Sequence, residues 1–136
     1  MIIKMKTLYI KRAAVSAIIV WVLGNSAYIT SYYYPVMADP DVHAFWDLSV
    51  VMIPAASFGA HIYYRKGYQT NGFLLGIILF LAALTLDVLI TVPFFIMPYG
   101  GTYISFFLDP GFWFLGIEYV SVVAAYWQLK RILSIT

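Results

Sequence analysis

The chain has no cysteine, and only 10% of its 136 residues are charged. The absence of cysteine excludes disulfides, thiolate metal sites and a catalytic thiol. The low charge content argues against a soluble domain, in which about a quarter of the residues are charged. Hydrophobic residues make up 63% of the chain instead. This composition is typical of a polytopic membrane protein.

Four apolar stretches are long enough to cross a bilayer as helices, because a hydrocarbon core about 30 Å thick needs about 20 such residues. They lie near residues 13–34, 47–64, 73–97 and 111–129, and we predict helices at about 13–34, 40–65, 73–97 and 111–130. Backbone groups in lipid must be satisfied internally, and the alternating pattern of a β-barrel is absent. We therefore predict an all-α membrane protein, a single domain over residues 1–136 that forms an antiparallel bundle of four transmembrane helices.

The loops after the first and third spans contain no Lys or Arg, because all eight basic residues flank the opposite ends of the spans. By the positive-inside rule we expect both termini to be cytoplasmic in a multi-pass protein of the plasma membrane. The outer ends carry the acids Asp39, Asp41, Asp47 and Asp109. The outer face should therefore be acidic.

Two further acids, Asp87 and Glu118, fall inside the third and fourth apolar stretches. A carboxylate in the middle of a bilayer is costly, and intramembrane acids are candidates for functional sites. Counted from the outer helix ends, Asp87 should lie roughly 15 Å deep and Glu118 roughly 11 Å deep, so we predict similar depths. Three ways to neutralise them remain open: protonation, a bound cation or ligand amine, or a basic group from a partner subunit.

Small residues at helical spacing predict the packing faces, because helices in lipid associate through close backbone approach. The stripe predicted for the fourth helix is Gly111, Glu118, Val122 and Ala125. Such stripes could equally be contacts with another subunit. Around the two acids they predict a buried ion- or ligand-binding cluster, made of Asp87, Glu118, Asn25, Tyr28, Thr91 and Tyr119.

Prolines and a histidine add two further predictions. Pro93 has no N–H, so in an α-helix the carbonyl of Leu89 loses its donor near Asp87. Asp39 followed by Pro40 is typical of a helix start, so the second helix should begin in the outer loop. In that helix the side chains of Asp39, His43 and Asp47 recur every four residues, a set that suits a divalent metal at the outer interface.

The sequence contains no complete catalytic constellation and names no cofactor, so the chain is not expected to be an enzyme by itself. Its basic residues are juxtamembrane anchors, not a nucleic-acid patch. The expected partners are the lipid bilayer and other membrane subunits, or further copies of this chain. Two functions remain: an accessory or structural subunit of a larger membrane complex, or an ion-coupled transporter, channel or small-ligand binding protein that works as a homo-oligomer.

Overall fold

The structure is a computed structural model that describes residues 9–34, 38–65 and 70–135. Within these ranges the chain is helical and contains no strand, so the all-α prediction is confirmed. Lys4, Lys6 and Lys66, three of the basic residues used to predict the topology, lie outside the described residues.

Four long helices and one short helix make up the described chain. They are α1 at Ile10–Tyr33, α2 at Pro40–Tyr64, α3 at Gly72–Leu86, α4 at Tyr103–Phe107 and α5 at Pro110–Ile135. Helix α3 continues without a break into a π-helical segment, Asp87–Ile96, and a 3₁₀ turn, Met97–Tyr99. Helix α2 begins at Pro40 as predicted, and its first main-chain hydrogen bond runs from His43 N–H to Asp39 C=O, at 3.0 Å.

Three helices are long and apolar enough to cross a membrane: Ile10–Tyr33, Val42–Tyr64 and Gly72–Tyr99. Helix α5, with 26 residues, is long enough as well, but it is not one of these three. Large apolar side chains cover the outside of the bundle, among them Val50, Leu81 and Ile117, which are 66%, 50% and 69% exposed. Soluble proteins rarely expose apolar patches of this extent, so the structure supports a membrane protein.

The long helices form a ring in which α1 packs on α2 and α3, and α5 packs on the same two helices. The α1 and α2 helices are antiparallel, since Tyr9 N–H donates to Tyr63 Oη at one end and the Ser31 hydroxyl donates to Asp47 at the other. The α2 and α5 helices run in the same direction. Helices α2 and α3, although consecutive, lie diagonally across the ring.

Small residues allow the closest helix contacts and fix the register of α3 against α5. A Cβ added at Gly76 would lie 3.0 Å from Val120 Cα, and one added at Gly116 would lie 2.5 Å from the Phe80 ring. Gly72 similarly adjoins Trp127. The two helices are therefore antiparallel, with residue 76 opposite residue 120 and residue 80 opposite residue 116.

The ring brings basic residues to one end of the bundle. Lys11 and Arg12 begin α1, Arg65 follows α2, and Lys130 and Arg131 lie in the last turns of α5. Arg12 Nε–H donates to the Ile62 carbonyl at 2.9 Å. This bond satisfies an acceptor in the last turn of α2, where the helix dipole favours a positive charge. The acids Asp39, Asp47 and Asp109 lie at the other end.

The side of α5 that packs in the bundle is not the side that the sequence predicts. The buried residues of its central turns are Gly116, Tyr119, Val123 and Ala124. The predicted stripe is not the face that α5 packs inside this chain, because Ala125 is exposed and Glu118 is only partly buried; its other interpretation, a contact with another subunit, stays a prediction. The ring of Phe80 selects the Gly116 side of α5 for the internal contact. Spacing alone cannot distinguish an inward stripe of small residues from an outward one.

The π-helical segment changes which carbonyl Pro93 leaves without a donor. In a π-helix the main-chain bonds join residues five apart, as Met97 N–H and Val92 C=O show here. The missing N–H of Pro93 therefore affects the carbonyl of Val88, not that of Leu89. The hydroxyl of Tyr103 in α4 donates to the Val88 oxygen at 2.9 Å, so a side chain replaces the missing backbone donor.

We expect Tyr103→Phe to lower the free energy of unfolding by about 1 kcal/mol, because the Val88 carbonyl loses this donor. Denaturation in detergent micelles measures the change. Tyr34→Phe is the matched control, because Tyr34 is 78% exposed. Equal effects of the two substitutions would contradict the assigned role of Tyr103.

Candidate functional site

Asp87 is the first residue of the π-helical segment, and it contacts a side chain from another helix. The indole Nε1–H of Trp21, on α1, donates to Asp87 Oδ1 at 3.0 Å. The hydroxyl of Thr91, one turn further along the segment, donates to the same oxygen at 2.7 Å. The carboxyl group of Asp87 therefore joins α1 to the end of α3.

The second oxygen of Asp87 differs from the first. No hydrogen bond or ion pair within the described chain involves Oδ2, and this atom is not among the fully buried polar atoms without partners. Because Oδ1 already accepts two donors, the proton of a neutral Asp87 would lie on Oδ2. That oxygen can accept a further donor, contact a cation or, when protonated, donate a hydrogen bond.

Glu118 has a similar arrangement on the other side of the bundle. The Ser49 hydroxyl, on α2, donates to Glu118 Oε1 at 3.1 Å. Glu118 Oε2 has no partner among residues 9–34, 38–65 and 70–135, and like Asp87 Oδ2 it is not fully buried. The Glu118 carboxyl group thus joins α5 to α2 through one oxygen and leaves the other open.

Asp87 and Glu118 have separate hydrogen-bond partners, Trp21 on α1 and Ser49 on α2, and their Cα atoms do not lie at the similar depth that was predicted. Continuing the α3–α5 register places Glu118 opposite residue 78, nine residues before Asp87, a separation of roughly 13 Å along the axis. Within the described chain the π-helical segment packs on α3 and α4, not on α5. The cause is the extension of α3 through Tyr99, which carries it well beyond the start of α5, so the two outer helix ends are not level.

The other predicted members of the cluster are distributed around Asp87 and the core. Thr91 binds Asp87 directly, whereas Asn25 Nδ2 donates to the main-chain oxygen of Trp21 at 2.9 Å and so contacts the site indirectly. Tyr28 is partly buried on α1. Tyr119 is 3% exposed and packs in the core, where its hydroxyl has no hydrogen-bond partner in the described part of the chain.

Trp21 and Ser49 are the functional contacts that sequence reasoning missed. Trp21 lies near the middle of α1, away from the interfaces where tryptophan usually anchors a span. Its indole N–H needs an acceptor when it is removed from water. A tryptophan and an acid that both lie in the middle of apolar segments could therefore have predicted this hydrogen bond. Nothing in the sequence predicts the contact of Ser49.

At the acidic end, Ser31, His43 and Asp47 join α1 to α2. His43 Nδ1 lies 3.0 Å from the Ser31 carbonyl oxygen, His43 Nε2 lies 3.6 Å from Asp47 Oδ2, and the Ser31 hydroxyl donates to that same carboxylate oxygen. The imidazole thus contacts the Ser31 backbone and not its hydroxyl. This arrangement is not a nucleophile activated by a base.

Asp39, the third predicted metal ligand, has a different contact. Its Oδ1 lies 3.5 Å from the N–H of Val42 at the start of α2. Over the described ranges, no group of three His, Cys, Asp or Glu side chains is placed to hold one metal ion. A metal site at Asp39, His43 and Asp47 stays a prediction based on spacing.

Comparisons with known proteins were carried out at the level of families, sequences and structures. No protein-family model matches the chain, and neither the curated proteins nor the solved structures contain a significant match. The function must therefore be argued from the geometry of the carboxyl groups.

We expect Asp87→Asn to leave the free energy of unfolding nearly unchanged, because the amide oxygen can accept the same bonds from Trp21 and Thr91. Asp87→Leu should lower it by about 1–3 kcal/mol, since both donors lose their acceptor. Denaturation in detergent micelles compares the two. Adding Trp21→Phe to the Leu variant should recover part of the loss, because the orphaned N–H is then removed. If Asn proved as damaging as Leu, the negative charge itself would be required.

Proposed function

We propose that this chain is a four-span integral membrane protein and an accessory or structural subunit of a larger membrane complex. The observation that carries the proposal is the open oxygen on each intramembrane carboxyl group. Asp87 Oδ2 and Glu118 Oε2 are not fully buried and have no partner in the described part of this chain. In hydrocarbon, where water does not replace the missing bond, a neighbouring protein is the natural source of a partner.

The charge distribution supports the membrane orientation within this proposal. The described basic residues lie at one end of the bundle and the acids Asp39, Asp47 and Asp109 at the other. With the basic end in the cytoplasm, both termini are cytoplasmic and α5 is the fourth span. The polar side chains of Glu118, Ser121 and Gln128 on α5 then fit a helix that contacts protein as well as lipid.

The shape of the bundle supports a structural role more than a solitary transport role. Trp21 and Ser49 use the carboxyl groups of Asp87 and Glu118 to join pairs of helices. Two shallow grooves are open on the outside of the bundle; one of about 220 Å³ is lined by Phe80, Trp113, Gly116, Ile117, Val120 and Ser121. An outward apolar groove suits contact with another transmembrane helix.

Isolation from native membranes tests the subunit proposal. In a mild detergent we expect the chain to co-isolate with unrelated membrane subunits in a constant ratio. Combining Asp87→Leu with Glu118→Leu should weaken this association at least about tenfold, the equivalent of about 1.4 kcal/mol. Ile77→Val, on an outward face of α3, is the control and should change nothing. A chain that isolates alone, or only with copies of itself, would overturn the proposal.

A second function is favoured by the helix geometry at Asp87. Long π-helical segments are rare, and π-helical turns often occur at functional sites. An ion-coupled transporter, channel or small-ligand binding protein, working as a homo-oligomer, would use Asp87 and Glu118 as two separate polar sites, given their roughly 13 Å offset along the axis. In this version a cation or ligand amine contacts the open oxygens.

A thermal-unfolding series in detergent, across pH and with added mono- and divalent cations, separates the two functions. If Asp87 holds a cation, the cation raises the melting temperature of the wild type by several degrees and has no such effect on Asp87→Asn. Glu118→Gln reports on the second acid in the same way. A wild-type melting temperature that responds to neither pH nor cations would eliminate the ion site.

A further inference from the structure

We propose that the outward face of α5 binds the same face of a second copy of this chain, forming a parallel two-fold dimer inside the membrane. This inference rests on the proposed membrane embedding, but it does not require unrelated subunits. The face consists of Phe114, Glu118, Ser121, Ala125, Gln128 and Ile132, and we call it the α5 outer face. Glu118 is partly buried, and the other five residues are exposed.

The spacing of the α5 outer face is that of a helix–helix seam. Successive members are separated by four, three, four, three and four residues, the heptad pattern with which two helices supercoil around each other. The inward residues Tyr119 and Val123 do not belong to this series, because they pack in the core of the same chain. The seam is therefore free to contact a second helix while the bundle remains intact.

The polarity of the α5 outer face distinguishes it from a face that contacts lipid. On α3 the outward positions include Phe73, Ile77 and Leu81, all large and apolar, with exposures of 55%, 48% and 50%. The central turns of the α5 outer face instead carry Glu118, Ser121 and Ala125. Polar side chains and small side chains are the two features that hold transmembrane helices together.

Self-complementarity selects a second copy as the occupant. Across a two-fold axis parallel to the membrane normal, each residue of the seam meets its own equivalent. Ser and Gln side chains carry both a donor and an acceptor, and so does a protonated carboxyl group. Pairs of Ser121, Gln128 and protonated Glu118 can therefore all be satisfied by their own copies.

The Glu118 pair also explains why one carboxyl oxygen stays open within the chain. Ser49 occupies Oε1, which leaves Oε2 to carry the proton and face the second copy. Ala125, about two turns from Glu118 toward the basic end, has a side chain small enough for the two helices to approach closely at that level. Both copies keep the same orientation in the membrane, as the charged ends of the bundle require.

Disulfide cross-linking in native membranes tests the dimer directly, because the chain contains no cysteine. We expect Ser121→Cys and Ala125→Cys to form a disulfide-linked dimer under mild oxidation at least about ten times faster than Ile18→Cys and Ile77→Cys. These controls lie on outward faces of α1 and α3, with exposures of 50% and 48%. Ala124→Cys, on the inward side of α5, should not cross-link.

The role of Glu118 is tested separately by the dimer fraction in detergent. Glu118→Gln should retain the dimer, because the amide also donates and accepts. Glu118→Leu should weaken dimerisation by about fivefold or more. Cross-linking at positions 121 and 125 no faster than at the controls would overturn the dimer, as would equal dimer fractions for the Gln and Leu variants.

The same experiment separates this inference from the subunit proposal. If Ser121→Cys cross-links to an unrelated protein in place of a second copy, the dimer is wrong and the larger complex is supported. If only the dimer forms and no other subunit co-isolates, the dimer is supported and the larger complex is wrong.

Discussion

Every polar group that lies in hydrocarbon needs a hydrogen-bond partner from the protein, and this constraint organises most of the structure. It makes the long segments helical, because a helix satisfies its own backbone. Where Pro93 and the π-helical geometry leave the Val88 carbonyl without a backbone donor, the hydroxyl of Tyr103 supplies one. Trp21 donates a hydrogen bond to one oxygen of Asp87, and Ser49 donates one to one oxygen of Glu118.

This requirement for a hydrogen-bond partner is met only in part. The oxygens that lack a partner are the candidates for functional contacts. One oxygen of Asp87 and one of Glu118 stay open, and these acids lie at different depths on opposite sides of the bundle. Each can therefore have its own partner: Glu118 lies on the α5 outer face, whereas Asp87 lies at the α1–α3 contact. Two separate contacts of this kind are what the proposed structural subunit would use, whereas a single shared ion site would need the two acids together.

Much of the fold could be predicted from composition and from the ends of the helices. Apolar length predicts the helical segments, and Asp39 with Pro40 predicts the start of α2, because the chemistry of a helix end is local. The separation of basic and acidic ends also follows from the sequence once consecutive spans alternate in direction. The candidate site was predicted less well. The bond between Thr91 and Asp87 spans one helical turn, so local spacing could predict it. The partners from other helices could not be predicted in this way.

The sequence by itself determined an all-helical, membrane-type chain with two acids inside its apolar segments, because these properties depend only on local composition and spacing. The tertiary structure alone decided the depth of Asp87 relative to Glu118, since the contacts of Gly72 and Gly76 with α5 fix the sliding register of two helices. It also decided which side of α5 faces outward. A helix carries several stripes of suitable spacing, and only the position of its neighbours selects among them.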